Sequence, residues 1–131
     1  MIRRQAPEIH LDTSFLIRAL VPGSGEAASL RGWLVDGRKV ALSTLAWGEF
    51  LCGPLPEGAE AVARRIARRH VPLGTEQAAE AARLFNATGR RRGSLQDCVV
   101  AATALIAGAE LATSDRADFR RFEAEGLTLA R

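Results

Sequence analysis

The sequence has no tyrosine, a single methionine, five phenylalanines and two tryptophans. So few rings exclude an interior built on aromatic stacking, and the core falls to Ala, Leu and Val packed closely. Lysine is almost missing as well, because Lys39 is the only one. The remaining cations are arginines, whose planar fork suits bidentate contact with phosphate or carboxylate. A biased overall composition explains the Arg and Ala content equally well. The net charge of +3 and pI near 9.6 are mildly basic. They permit a nucleic-acid partner without requiring one.

Cysteine is scarce too. Cys52 and Cys98 are far apart, without C-x-x-C spacing or a nearby His pair. A disulfide framework is thereby excluded, and two free, buried thiols in a reducing cytosol are expected. There is no long hydrophobic run. The longest, Val99 to Ala109, contains Thr103 and Gly108 and is too short to span a bilayer. Met1 to Gln5 leads into Ala-Pro-Glu rather than an apolar stretch, so no leader peptide is expected. These absences together imply a soluble cytoplasmic protein.

What is present reads as one domain over residues 1–131. A hydrophobic fraction of 47% with 25% charged residues argues against disorder. Strand and helix signals alternate along the chain. Strands are expected at 8–11, 40–42, 71–73, 110–113 and 127–129, the third at an edge because Pro72 cannot donate to a ladder. Helices are expected after Asp12, carrying Phe15, Leu16, Ala19 and Leu20 and stopping at Pro22-Gly23, then from Ser24 to Asp36, and from Ser43 or Thr44 to Gly53. Others follow over 56–70, 75–92, 94–108 and, as a short polar helix, 118–125. Such alternation implies an α/β class with a central parallel sheet between layers of helices.

Ligands of open α/β sheets bind beyond the carboxyl ends of the strands. Asp12 ends the first strand and Asp115 lies just past the fourth. Asp97 stands in the first turn of the most apolar helix, and Glu49 lies inside another between Trp47-Gly48 and Phe50-Leu51. Burying such acids is costly unless something pairs with them. A divalent cation resolves the repulsion among four of them, and oxygen ligands suit Mg²⁺ or Mn²⁺. Each acid also has a local alternative. Asp12 could cap the first helix, and Ser94 to Asp97 fits a capping box. Asp115 and Asp118 could be the cap and third position of the last helix, and Glu49 could face solvent.

In Ile9-His10-Leu11-Asp12-Thr13-Ser14, in Leu42 to Phe50, in Asp97 to Ala104 and in Leu111 to Phe119, the sequence resembles the PIN-domain nucleases, in particular the VapC-like toxins of bacterial toxin–antitoxin pairs. These pieces stand in the family's order and spacing over nearly the whole chain. The resemblance implies a three-layer α/β/α sandwich (PIN-like) and a metal site of Asp12, Glu49, Asp97 and Asp115. Asp118 is then a fifth acid that either binds metal or caps a helix. Thr13, Ser14 or Thr113 would order a water or a phosphate. The resemblance further implies Mg²⁺- or Mn²⁺-dependent RNA cleavage, a homodimer, and inhibition by a small antitoxin protein.

Arg64, Arg65, Arg68 and Arg69 recur at helical spacing, continued by His70, and Arg90, Arg91 and Arg92 precede the Asp97 segment. Each set reads either as a phosphate-tracking surface beside the acids or as a solvated face with cations at helix C-termini. Leu16, Leu20, Leu30 and Trp33 read as core or as a groove for the antitoxin. His10 and His70 have no partner at metal spacing. A phospho-receiver domain needs a lysine after a late strand, which Lys39 is not. A dehalogenase-like phosphatase wants a second Asp where Ser14 stands. The remaining rival is a PIN-domain regulator that binds nucleic acid, with little catalysis, alongside a DNA-binding partner.

Overall fold

The computed structural model describes residues 6–131, so the reading of Met1 to Gln5 falls outside the described residues. Five strands form one parallel sheet: β1 Ile9–Leu11, β2 Val40–Ser43, β3 Arg69–Val71, β4 Glu110–Ala112 and β5 Thr128–Leu129. Their spatial order is β3-β2-β1-β4-β5. The helices are α1 Thr13–Ala19, α2 Gly25–Val35, α3 Thr44–Leu51, α4 Ala59–Ile66, α5 Thr75–Ala87, α6 Leu95–Ala107 and α7 Arg116–Phe119. A 3₁₀ turn, Arg120–Glu125, continues α7. Right-handed crossovers place the helices after β1 and β2 on one face and those after β3 and β4 on the other. This is the expected three-layer sandwich.

Both faces of the central strands are covered, so they read as continuous apolar runs rather than alternating ones. Every residue of β1 and β2 is buried. The polar exception in β1, His10, is 2% exposed and shares a hydrogen bond with Glu8 at 3.1 Å. Its buried imidazole is pushed below the ordinary pKa, against the pull of Glu8. In α6, Cys98 through Ala104 are all buried. α5 packs along α6, whose buried residues include the small Ala101, Ala102 and Ala104. Ser24 Oγ and Ser43 Oγ each accept from the backbone N–H three residues on, capping α2 and α3 as their sequences suggest.

Several elements differ from the sequence reading. α4 stops at Ile66 and β3 begins at Arg69, two residues early. Tertiary contacts draw this strand forward: Arg69 pairs with Glu8, and the His70 ring lies 4.7 Å from that of Trp47. α5 ends at Ala87 because Gly89 and Arg90 turn left-handed, at φ 90° and 55°. Arg90, Arg91 and Arg92 are therefore a loop and not a helix end. The last helix is amphipathic rather than wholly polar: Asp118, Arg120 and Glu123 are exposed, while Phe119 and Phe122 are 1% and 0% exposed. Leu16, Leu30 and Trp33 are core, and only Leu20 is partly open. Of the two thiols only Cys98 is buried; Cys52, in the turn after α3, is exposed. Leu111 sits in β4 with no exposure. Leu111→Ala is expected to destabilise the fold by about 2–5 kcal/mol through the cavity it leaves, read as a lower urea midpoint with an unchanged slope.

Candidate functional site

Chain order reverses at β1. The chain steps from β1 outward to β2 and β3, then crosses over to β4 on the other side. The crevice beyond the carboxyl ends of β1 and β4 is thus the topological switch point, where ligands of such sheets bind. Asp12 follows β1 at this place, and Thr113, Ser114 and Asp115 follow β4 beside it.

Asp12 is 6% exposed. It stands at the N-cap position of α1 but makes no side-chain capping bond there. Instead Ser14 Oγ donates to its Oδ2 at 2.7 Å and Thr113 Oγ1 donates to the same oxygen at 2.9 Å. The two hydroxyls are themselves held. The Ser114 N–H donates to Ser14 Oγ at 3.1 Å, and the Asp115 N–H donates to Thr113 Oγ1 at 3.0 Å. The loop after β4 is therefore laced to α1 through the groups that fix the Asp12 carboxylate. Burial raises the Asp12 pKa, the two hydroxyls lower it again, and the neighbouring Asp115 adds to the rise.

Glu49 faces the same region from α3 and is half-buried. Desolvation holds its carboxyl above the usual range, and the charges of Asp12 and Asp97 push it further. Asp97, in the first turn of α6, is raised by burial and by Asp12, with Asp118 and Asp115 adding and Arg121 opposing. The four acids thus share one electrostatic field. The capping alternatives for Asp12, Asp97 and Asp115 are absent from this structure. Ser94 makes no capping bond to α6 and donates instead to the Arg91 carbonyl. Asp115 leads α7 without capping it. Asp118 is exposed, and lines with Asp97 and Arg121 a hollow of about 100 Å³.

Oxygen donors under mutual repulsion fit a hard divalent cation, which would offset the charge that burial makes expensive. Among the described residues no three of the acids already stand as a chelating group. Thr13 has a structural partner. Its hydroxyl donates to the Ala46 carbonyl at 3.0 Å, tying α1 to α3 beside Glu49. Ser14 and Thr113 orient Asp12.

Of the arginines, Arg91 and Arg92 reach the rim of the Asp97 hollow. The Arg64 to Arg69 set does not flank the acids. Arg69 begins β3, and with Arg65, Arg68 and Lys39 it lines a hollow at the amino edge of the sheet. Arg64 lies over the Trp47 ring at 5.1 Å. His10 and His70 stay structural. Two site residues escaped the sequence reading. Glu26 accepts from Ser114 Oγ at 2.7 Å and from Arg18 Nε at 2.9 Å, anchoring the β4 loop to α2. In sequence it is only an acid in a first helical turn. Arg121 approaches Asp97, and nothing in its spacing announces this.

A family model of the PIN domain matches residues 9–125. No curated protein matches the sequence. Among solved structures, the chain is similar to VapBC2 from Rickettsia felis bound to a promoter DNA fragment. That match has a TM-score of 0.72 at 16% identity, covering 93% of this chain and 96% of that one. FitAcB from Neisseria gonorrhoeae gives 0.67 at 23%, with 93% and 96% covered. VapC20 of Mycobacterium tuberculosis, described as a sarcin–ricin loop cleaving toxin, gives 0.67 at 19%, with 95% and 99% covered.

The raised carboxyls have a consequence for stability. A carboxyl whose folded pKa lies above its unfolded value binds more proton when folded, so stability falls as pH rises through that interval. For Glu49 the interval starts at 4.5 and extends upward. Without metal, Glu49→Gln is expected to melt higher than the parent at pH 7, and the gain should vanish below pH 4.5. Thermal melts in chelator across pH 4–8 check this; a lower melting temperature at pH 7 would contradict the electrostatic picture.

Proposed function

The chain belongs to the PIN-domain family, and on that premise we propose that it is a Mg²⁺- or Mn²⁺-dependent endoribonuclease, the toxin of a toxin–antitoxin pair, folded as one nuclease domain over residues 1–131. The observation that carries this reading is the shared field of Asp12, Glu49, Asp97 and Asp115 at the switch point of the sheet. Three of these carboxyls are raised by burial and by their neighbours, a situation that a divalent cation relieves.

In this reading Asp12, Glu49, Asp97 and Asp115 hold the cation, with Asp118 at the margin. Bound there, the cation would acidify a water and offset charge gathering on the phosphoryl oxygens. The protein groups have separate tasks. Asp12, locked through Oδ2 by Ser14 and Thr113, gives the site one fixed anchor. Glu49 and Asp97 are more open than Asp12, so either could reach a water beside the cation and take its proton. Arg91 and Arg92 are exposed at the rim, where they would meet the phosphates on either side of the scissile bond.

The partners follow the same reading: an RNA substrate, a second copy of the chain and a small antitoxin. Ile17 and Val21 are 48% and 53% exposed, and they border an apolar hollow with Phe50, Pro54 and Leu55 that a partner helix could fill. Among the described residues no helix is long and apolar enough to cross a membrane. A cytoplasmic location belongs to the proposal. The second reading is a regulator that binds nucleic acid with a DNA-binding partner and cuts little. It is favoured by one observation, that a solved neighbour is a two-protein complex on promoter DNA.

Asp97→Asn separates the two readings. It should lower Mn²⁺-dependent cleavage of total RNA at least ~100-fold with an unchanged circular dichroism spectrum. Undiminished cutting by this variant would sink the site assignment, and no cutting by the parent would favour the regulator. Replacing Arg91 and Arg92 with Ala should weaken RNA binding similarly across sequences and reduce the salt slope by about 1 for each phosphate no longer neutralised. Titrations of fluorescent RNA at several salt concentrations measure this.

A further inference from the structure

Arg121 is the cation closest to the acids, and the proposed function gives it no task. It sits in the 3₁₀ turn after α7, with its guanidinium carbon 4.5 Å from the centre of the Phe122 ring. Nε and Nη2, which form one edge of the guanidinium fork, are both buried and have no hydrogen-bond partner among the described residues. Nη2 lies 3.7 Å from Asp97 Oδ2. That is an ion pair, but too long for a hydrogen bond.

A guanidinium does not discharge, so burying two of its donors without acceptors is costly. Phe122 lies against the guanidinium. Arg121 also lines a hollow with Asp97, Asp118, Ser94 and the Arg91–Gly93 loop. The Asp97 carboxylate is already near one arm of the fork, and a small rotation of its side chain would close a two-bond arrangement of the kind Arg and carboxylates favour. The other acids have no such partner. Asp12 is satisfied by hydroxyls, and the charges that act on Glu49 are those of Asp12 and Asp97.

We propose that Arg121 is the resident counter-cation of the acid cluster: it holds Asp97 when metal is absent, and a divalent ion must draw Asp97 away from its fork to bind. Arg121 is then a positioning residue that stabilises the metal-free site and weakens its affinity for the ion. The charge of Arg121 and that of the ion compete for one carboxylate. Removing the first therefore strengthens the hold on the second. The inference rests on the reading that Asp97 is a metal ligand, so the test includes a variant for that premise.

Purified full-length parent, Arg121→Gln, Arg121→Lys and Asp97→Asn proteins are titrated with Mn²⁺ by calorimetry and melted with chelator or with Mn²⁺. Arg121→Gln should bind Mn²⁺ at least ~tenfold tighter, the scale on which one neighbouring charge shifts an ionic equilibrium. It should also melt lower in chelator and gain more from Mn²⁺ than the parent does. Arg121→Lys, which keeps the charge but loses the fork, should bind Mn²⁺ more tightly than the parent by a smaller factor. If Arg121→Gln does not fold, the direction of change in Arg121→Lys decides. Unchanged or weaker Mn²⁺ binding in the deciding variant, while Asp97→Asn loses binding, overturns the counter-cation role alone. Mn²⁺ binding that is absent from the parent, or undiminished in Asp97→Asn, overturns the role together with the metal-site reading.

Discussion

Asp12 places a carboxylate where water hardly reaches, and the rest of the carboxyl edge is arranged around that expense. Two hydroxyls on Oδ2 favour its charge, and each is held by a backbone N–H from the loop after β4. That loop is in turn fastened by Glu26 through Ser114. The position of one carboxylate thus sets the path of a loop 101 residues away in sequence. It also sets where Asp115 stands. Without Asp12 the hydroxyls would lose their common acceptor, and the seam between α1 and β4 would lose its polar lock.

Around this anchor the topology distributes charge unevenly. The carboxyl ends of β1 and β4 gather acids, while the amino edge carries Lys39, Arg65, Arg68 and Arg69. On the acidic side Arg121 goes against this trend, with Arg91 and Arg92 at the rim. It comes from the 3₁₀ turn that follows Phe119 and contains Phe122, two rings driven into the core by apolar burial. The same burial fixes the backbone from which Arg121 reaches Asp97. Hydrophobic packing on one side of a short turn therefore places a cation on the other.

Much of the fold was legible because its signals are local. The strand–helix alternation, the caps at Ser24 and Ser43 and the apolar run of α6 are written in neighbouring residues. Errors fell where long-range contacts override local preference. β3 slides to Arg69 because Glu8 and Trp47 attract Arg69 and His70. The Arg64 to Arg69 stripe looked helical by spacing, but the strand begins inside it and turns it to the edge away from the acids. Cys52 looked buried by its neighbours, and a turn exposes it.

For the site itself, the sequence by itself determined which acids are available and which of them end strands or open helices, because a parallel sheet directs those positions to one edge. It also carried the family, through motifs in a fixed order. Only the tertiary structure decided how the acids are balanced: that Ser14 and Thr113 serve Asp12, that Glu26 pins the loop, and that Arg121 faces Asp97. Those pairings join residues distant in the chain. Their strength depends on burial and on separations of a few ångströms, which no local pattern encodes.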